Sequence, residues 1–180
     1  VLPILENMGM RVINEQSNIV ILQKHDLSYV SNITLQCDGR NLQKSDIDTF
    51  INNFQTCFYQ VRYRRVNDDS LNQLMLCAHL NYREINVIRS YVKYMKQIGF
   101  IFSESYIHQV FTQHGHITRL LFKLFEGRFA RESSNIRVEN LEVTELVLEI
   151  QRAIDEVDSL DEDRICKMML GLILATLRTN

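Results

Sequence analysis

From Ile47 onward the apolar positions return every three or four residues, the period of a helix that buries one face. Ile47, Phe50, Ile51, Phe54, Cys57 and Phe58 form the first such stripe, and Ser45 with Asp48 supplies an S-x-x-D start. The stretch VRYRRVN that follows fits either a short strand or a loop. A second helix is predicted from about Ser70 to Leu80, with Leu71, Leu74, Met75 and Ala78 inward. Asn81 and Glu84 open a third, whose buried stripe is Ile85, Ile88, Val92 and Met95 and whose stop is Gly99. Ser103 caps ESYIHQVFTQ, and ITRLLFKLFEGRF packs through Ile117, Leu120, Leu121, Leu124 and Phe125. After a polar break, ARESSNIRVEN, a helix is expected from near Asn140 to about Val157. The last helix starts at Ser159, where S-x-x-E with Glu162 spells a capping box and three acidic residues face the positive end of the helix dipole.

The first forty residues have a different pattern. VLPILENM reads as a short helix ended by Gly9. MRVIN and NIVILQK are rich in β-branched residues and suggest a strand pair joined by EQS. LSYVSNITLQC is expected as a third strand closed by Asp38-Gly39. The pattern predicts an α+β fold, mostly α, with the sheet confined to the N-terminal quarter and a multi-helix array after it. The boundary is placed between residues 1–66 and 67–180. No internal repeat and no low-complexity segment interrupts it.

Composition narrows the function classes. The 180 residues are 46% apolar and 23% charged, with a net charge of −2, so a sizeable core is available and a strongly basic nucleic-acid binder is excluded. The longest apolar run, Met168 to Ala175, is far short of a bilayer span. The four cysteines, at 37, 57, 77 and 166, never form C-x-x-C, which removes zinc-finger and thioredoxin-like readings and leaves reduced thiols. Neither end carries a natural start or stop signal: the chain begins within an apolar pattern and finishes just after a helix, as expected of a piece of a longer protein.

Candidate chemistry is sparse. A dinucleotide site needs closely spaced glycines where the backbone approaches a pyrophosphate, but the six glycines here lie at least twelve residues apart. His108, His114 and His116 gather in HQVFTQHGHITR without enough further ligands for a zinc site, and read as a polar turn between helices. His25-Asp26 reads as a turn, since no nucleophile accompanies it. Arg89, Lys93 and Lys96 share one helix face at i, i+4 and i+7, a candidate anion- or partner-binding face. Arg62, Arg64 and Arg65 form a second basic cluster, and Asp155 to Asp163 an acidic one. A solvated charged surface is the more ordinary reading of each, because exposed charges are normal.

LPILENMGMRVI, NDDSLNQLML, LNYREINVIRSYVKYMKQIGFIFSESYI, LFEGRF and SLDEDRI…ATLRTN, in that order, resemble the large bacterial NAD-specific glutamate dehydrogenases. The resemblance implies a non-catalytic region immediately before the catalytic domain, and a partial ACT-like α+β module over residues 1–66. It implies a cytoplasmic parent enzyme that oxidises L-glutamate with NAD, while this segment binds no cofactor and carries no catalytic residue. Its implied partners are other domains and subunits of a homo-oligomer and a small-molecule effector, without nucleic acid or membrane. A free-standing helical protein–protein interaction module is the competing expectation.

Overall fold

The computed structural model describes residues 1–22, 26–37, 47–129 and 136–179. The fold is α+β and mostly helical, with one hairpin near the N-terminus followed by a helical array. Helix α1 (Leu2–Asn7) begins with Pro3 in its first turn, where a missing N–H costs nothing. It ends at Gly9, whose φ of +80° lets Met10 N–H reach back to the Leu5 carbonyl at 3.0 Å.

Strands β1 (Arg11–Leu22) and β2 (Asp26–Gln36) then pair antiparallel. The expected three strands are thus two long ones. EQS is no turn: Glu15, Gln16 and Ser17 lie opposite Ile33, Asn32 and Ser31, and the Ser17 and Ser31 hydroxyls bond at 2.8 Å. The physical reason is local. EQS contains no Gly, Asn or Asp to adopt the positive φ that a tight hairpin needs, so the chain stays extended. One face of the hairpin is seated at its base, where Val12, Ile33 and Leu35 pack on the core, but the same face stands bare farther out, with Ile19 62% and Tyr29 73% exposed. The residues at His25, Asp38-Gly39 and Ser45, and most of the break after Phe129, lie outside the described residues.

Helix α2 spans Ile47–Arg62, so VRYRRV is neither strand nor loop at its start. Val61 continues the buried face one turn beyond Cys57, and the helix stops where Arg64 takes a φ of +56°. Phe50, Phe54 and Phe58 also pack against the core while partly buried, whereas Ile47 and Ile51 on the same stripe are exposed. Residues Ser70–Gln73 form a 3-10 turn and α3 (Leu74–Cys77) continues it, burying Leu71, Leu74, Met75 and Ala78 as the spacing predicts.

Helix α4 (Tyr82–Gln97) carries the full capping box of Asn81 and Glu84, and Gly99 (φ +78°) ends it. Helix α5 (Glu104–Gln113) is capped by Ser103. Helix α6 (Gly115–Phe129) follows after a bend at His114, across which the Thr118 hydroxyl donates to the Phe111 carbonyl at 2.8 Å. Helix α7 spans Ile136–Asp155 and starts four residues earlier than its apolar spacing suggests. Helix α8 spans Leu160–Ala175. The capping box at its start is half made: Ser159 accepts from Glu162 N–H, while the Glu162 carboxylate is drawn away to His114 Nε2 at 2.7 Å. Among the described residues no helix is long and apolar enough to cross a membrane.

The core runs from Leu5 through Leu71, Leu74, Val92, Phe111 and Leu121 to Ile173. Its tightest backbone approach is at Gly115, where an added Cβ would stand 2.3 Å from the Cys77 carbonyl oxygen. The neighbour is backbone and cannot swing away. Gly115→Ala is therefore expected to lower stability by about 1–3 kcal/mol despite the better helix propensity of Ala. Thermal unfolding of the variant checks this, and Gly127→Ala, which meets nothing within 4 Å, serves as its control.

Candidate functional site

The basic face foreseen on α4 is split by the fold. Arg89 is only 4% exposed. Its Nε donates to Asp69 Oδ2 at 2.7 Å, and its Nη2 donates to Asp69 Oδ1 and Asn72 Oδ1, each at 2.9 Å. Nη1 donates to Asn86 Oδ1. With a fork of carboxylate and amide oxygens around it, the guanidinium is satisfied inside the protein and has little left to offer a ligand. Lys96 folds back over the end of its own helix and donates to the Phe100 carbonyl at 3.0 Å and to the Phe102 carbonyl. Lys93 is exposed. The three residues share a side of α4 in the sequence, but the structure does not gather them into one surface.

Asp69 holds two elements at once. Its Oδ1 also accepts from Leu71 N–H at 3.1 Å, which caps the 3-10 turn. Asn72, fully buried, donates to the Asn67 carbonyl while receiving Arg89. On the other flank of this turn, the Ser70 hydroxyl lies 3.3 Å from His108 Nδ1. His108 is 5% exposed, and its Nε2 is buried without a hydrogen-bond partner, with Glu104 Oε1 3.6 Å away. Burial holds the His108 imidazole below its ordinary value. Asp69 and Glu104 pull it up, and Arg89 pushes it further down.

The other histidines are apart from it in role. His114 pairs with Glu162 of α8, and His116 is exposed. No group of three or more His, Cys, Asp or Glu side chains among the described residues is placed to hold a metal ion. The thiols of Cys57 and Cys77 are pushed up to about 11 and that of Cys166 to about 12, in each case chiefly by burial. These three cysteines stay protonated at neutral pH, so they are poor nucleophiles. Sequence spacing gives no sign of a solvent-open cleft of about 610 Å3 between α4, α6 and α8. Its walls are Tyr91 and Tyr94 on one side and Leu172 and Ala175 on the other, with Phe125 behind.

Comparison with known proteins matches two stretches of the chain. Residues 1–50 match the family described as glutamate dehydrogenase, ACT3 domain, and residues 66–131 match glutamate dehydrogenase, helical motif 3. An NAD-specific glutamate dehydrogenase of Halomonas elongata is 35% identical over 183 aligned residues, covering 100% of this chain and 11% of the relative. One from Pseudomonas aeruginosa is 36% identical over 188 residues, again 100% of this chain and 11% of the relative. One from Mycobacterium tuberculosis is 37% identical over 116 residues, 64% of this chain and 7% of the relative. The chain thus spans 11% of the length of the first two curated relatives.

Two measurements test the polar network. Asp69→Ala leaves a buried guanidinium unpaired and uncaps the 3-10 turn, so denaturant unfolding is expected to show a loss of about 3–5 kcal/mol. Lys93→Ala on the same helix is expected to stay within about 0.5 kcal/mol. For His108 the folded-state value lies below the unfolded one, so the unfolded chain binds the extra proton first. Its stabilisation is complete above the unfolded value near 6.5 and is lost as pH falls toward the folded value, by at most about 1.4 kcal/mol per pH unit. Stability measured from pH 7 to pH 5 is expected to fall less steeply in His108→Gln than in the parent sequence.

Proposed function

The chain belongs to the NAD-specific glutamate dehydrogenase family, as its ACT3 and helical motif 3 region, and from that premise we propose that it is a non-catalytic scaffolding and regulatory segment of such an enzyme. The parent reaction is the oxidative deamination of L-glutamate by NAD to 2-oxoglutarate, ammonia and NADH. In this reading the cofactor and the reacting atoms are held elsewhere in a cytoplasmic polypeptide, and this segment positions neighbouring domains and subunits of a homo-oligomer. A small-molecule effector tunes the enzyme by binding one domain arrangement more tightly than another.

The observation that carries the reading is the match of the whole chain to an 11% portion of two NAD-specific glutamate dehydrogenases, together with family matches to an ACT3 domain and a helical motif. The chemistry of the segment supports it. Its buried Arg89 is neutralised by the half-buried Asp69, and its cysteines at 57, 77 and 166 are held protonated. Its exposed features include apolar ones: Ile19 and Tyr29 on the outer hairpin face, and Ile47 and Ile51 in the first turns of α2. Surfaces of that kind suit contacts between domains.

The test has two arms. Calorimetry of the isolated chain with NAD, and assay with L-glutamate, are expected to show neither stoichiometric binding nor NADH formation. Either one would overturn the reading. In the full-length enzyme, Ile19→Lys with Tyr29→Lys is expected to weaken assembly by at least about tenfold while leaving the chain's own unfolding temperature in place, because both side chains are mostly solvent-exposed.

A further inference from the structure

The cleft between α4 and α8 does not end at Leu172. A second hollow of about 390 Å3 begins there and runs past Met168 and Gly171 to Phe100 and Arg164. Val87 to Tyr94 of α4 line the part that reaches Thr179, with Tyr91 bonded to Thr176, and Phe100 after α4 lines the end near Arg164, so the two helices run antiparallel along one seam. From Arg164 to Ala175 the seam follows α8 for roughly 17 Å at 1.5 Å per residue, about three turns of a helix laid in it.

We propose that this seam seats an amphipathic helix from elsewhere in the parent enzyme, with its apolar stripe on Tyr94 and Leu172 and a carboxylate opposite Arg164. The proposal rests on the reading of the chain as a segment of that enzyme. Three observations select this occupant. Three of the wall hydroxyls are already committed: Tyr91 Oη bonds Thr176 Oγ1 at 2.8 Å, and Ser90 Oγ donates to the Asn86 carbonyl at 2.8 Å. A polar small molecule finds few partners there, whereas apolar side chains need none. The floor is also low on the α8 side. A Cβ added at Gly171 would meet nothing within 4 Å, and Ala175 follows one turn later, so a second helix can approach closely.

The third observation is charge. Lys167 at this end is held by Asp163 at 2.7 Å and lies 3.8 Å from Asp155. Arg164 has no acidic partner among the described residues and rests with its guanidinium 5.7 Å from the centre of the Phe102 ring. Over an aromatic ring at the end of an apolar seam, it is free to receive a carboxylate in a bidentate pair. Relatives of which this region is 11% have ample further sequence to supply such a helix.

The experiment uses the full-length enzyme with a photo-crosslinking residue at Met168. One helical segment of the same polypeptide is expected to be captured, with an Asp or Glu within reach of Arg164. Gly171→Leu fills the seam without straining α8, since the position is open and Leu is the better helix former, and is expected to abolish the cross-link. Arg164→Glu is expected to weaken it about tenfold by exchanging an attraction for a like-charge contact. No cross-link, one indifferent to Gly171→Leu, or capture of a second copy of this region or of another protein would overturn the proposal. Those outcomes leave the scaffolding reading intact, whereas turnover by the isolated chain sinks that reading whatever the seam holds.

Discussion

A guanidinium taken out of water has to find oxygen for its donors within the protein, and the fold is arranged around one that does. Arg89 sits where α4 meets the 3-10 turn, and it is Asp69, the cap of that turn, that receives it twice. Removing water from such a pair is costly, and the pair recovers the cost only when its geometry is good and its remaining hydrogen-bonding groups are satisfied. Asn72 and Asn86 complete that requirement. The arrangement permits little variation in how α4 lies on residues 69–72. It therefore also fixes the neighbouring wall of α5, where His108 meets Ser70.

The same economy recurs at the helix ends. Each α-helix finishes with carbonyls that its own backbone cannot satisfy, and a cation there meets both the hydrogen-bonding need and the negative end of the dipole. Lys96 performs this for the loop after α4. Arg128, near the end of α6, reaches across to the Ile173 and Thr176 carbonyls at the end of α8. His114 binds the acidic first turn of α8 from the bend between α5 and α6. Several basic groups that look available in a linear reading, Arg89 and Lys96 among them, are thus spent in holding the array together. Apolar side chains also face outward, on the outer hairpin, at the start of α2 and along the α4–α8 seam. That distribution suits a part whose work is to hold other parts.

Much of this fold is legible in the sequence because its helix signals are local. Asn81 with Glu84, Ser103 and Ser159 mark their helix starts by side-chain chemistry within one turn, and Gly9 and Gly99 mark ends that require positive φ. The periodic stripes then name the core, from Leu71 and Leu74 to Ile88 and Val92. Spacing alone divides the hairpin at EQS because that stretch is polar, and polarity resembles a break when the opposite strand is not in view. Only the pairing of Ser17 with Ser31 reveals that this polar patch is the middle of a ladder.

By itself the sequence determined the number and type of most helices, their caps, the apolar side of each, and a family likeness spread along the whole chain. Tertiary structure decided which charges are buried, which polar groups are consumed, and where apolar faces go uncovered. Spacing on α4 put Arg89, Lys93 and Lys96 on one side of a helix, but the carboxylate that draws Arg89 inward lies twenty residues away. The seam beside α8 likewise depends on residues from three helices. The physical reason is range. Capping and periodicity act over three or four residues and can be read along the chain, whereas burial and charge pairing are set by groups that only folding brings within a few ångströms.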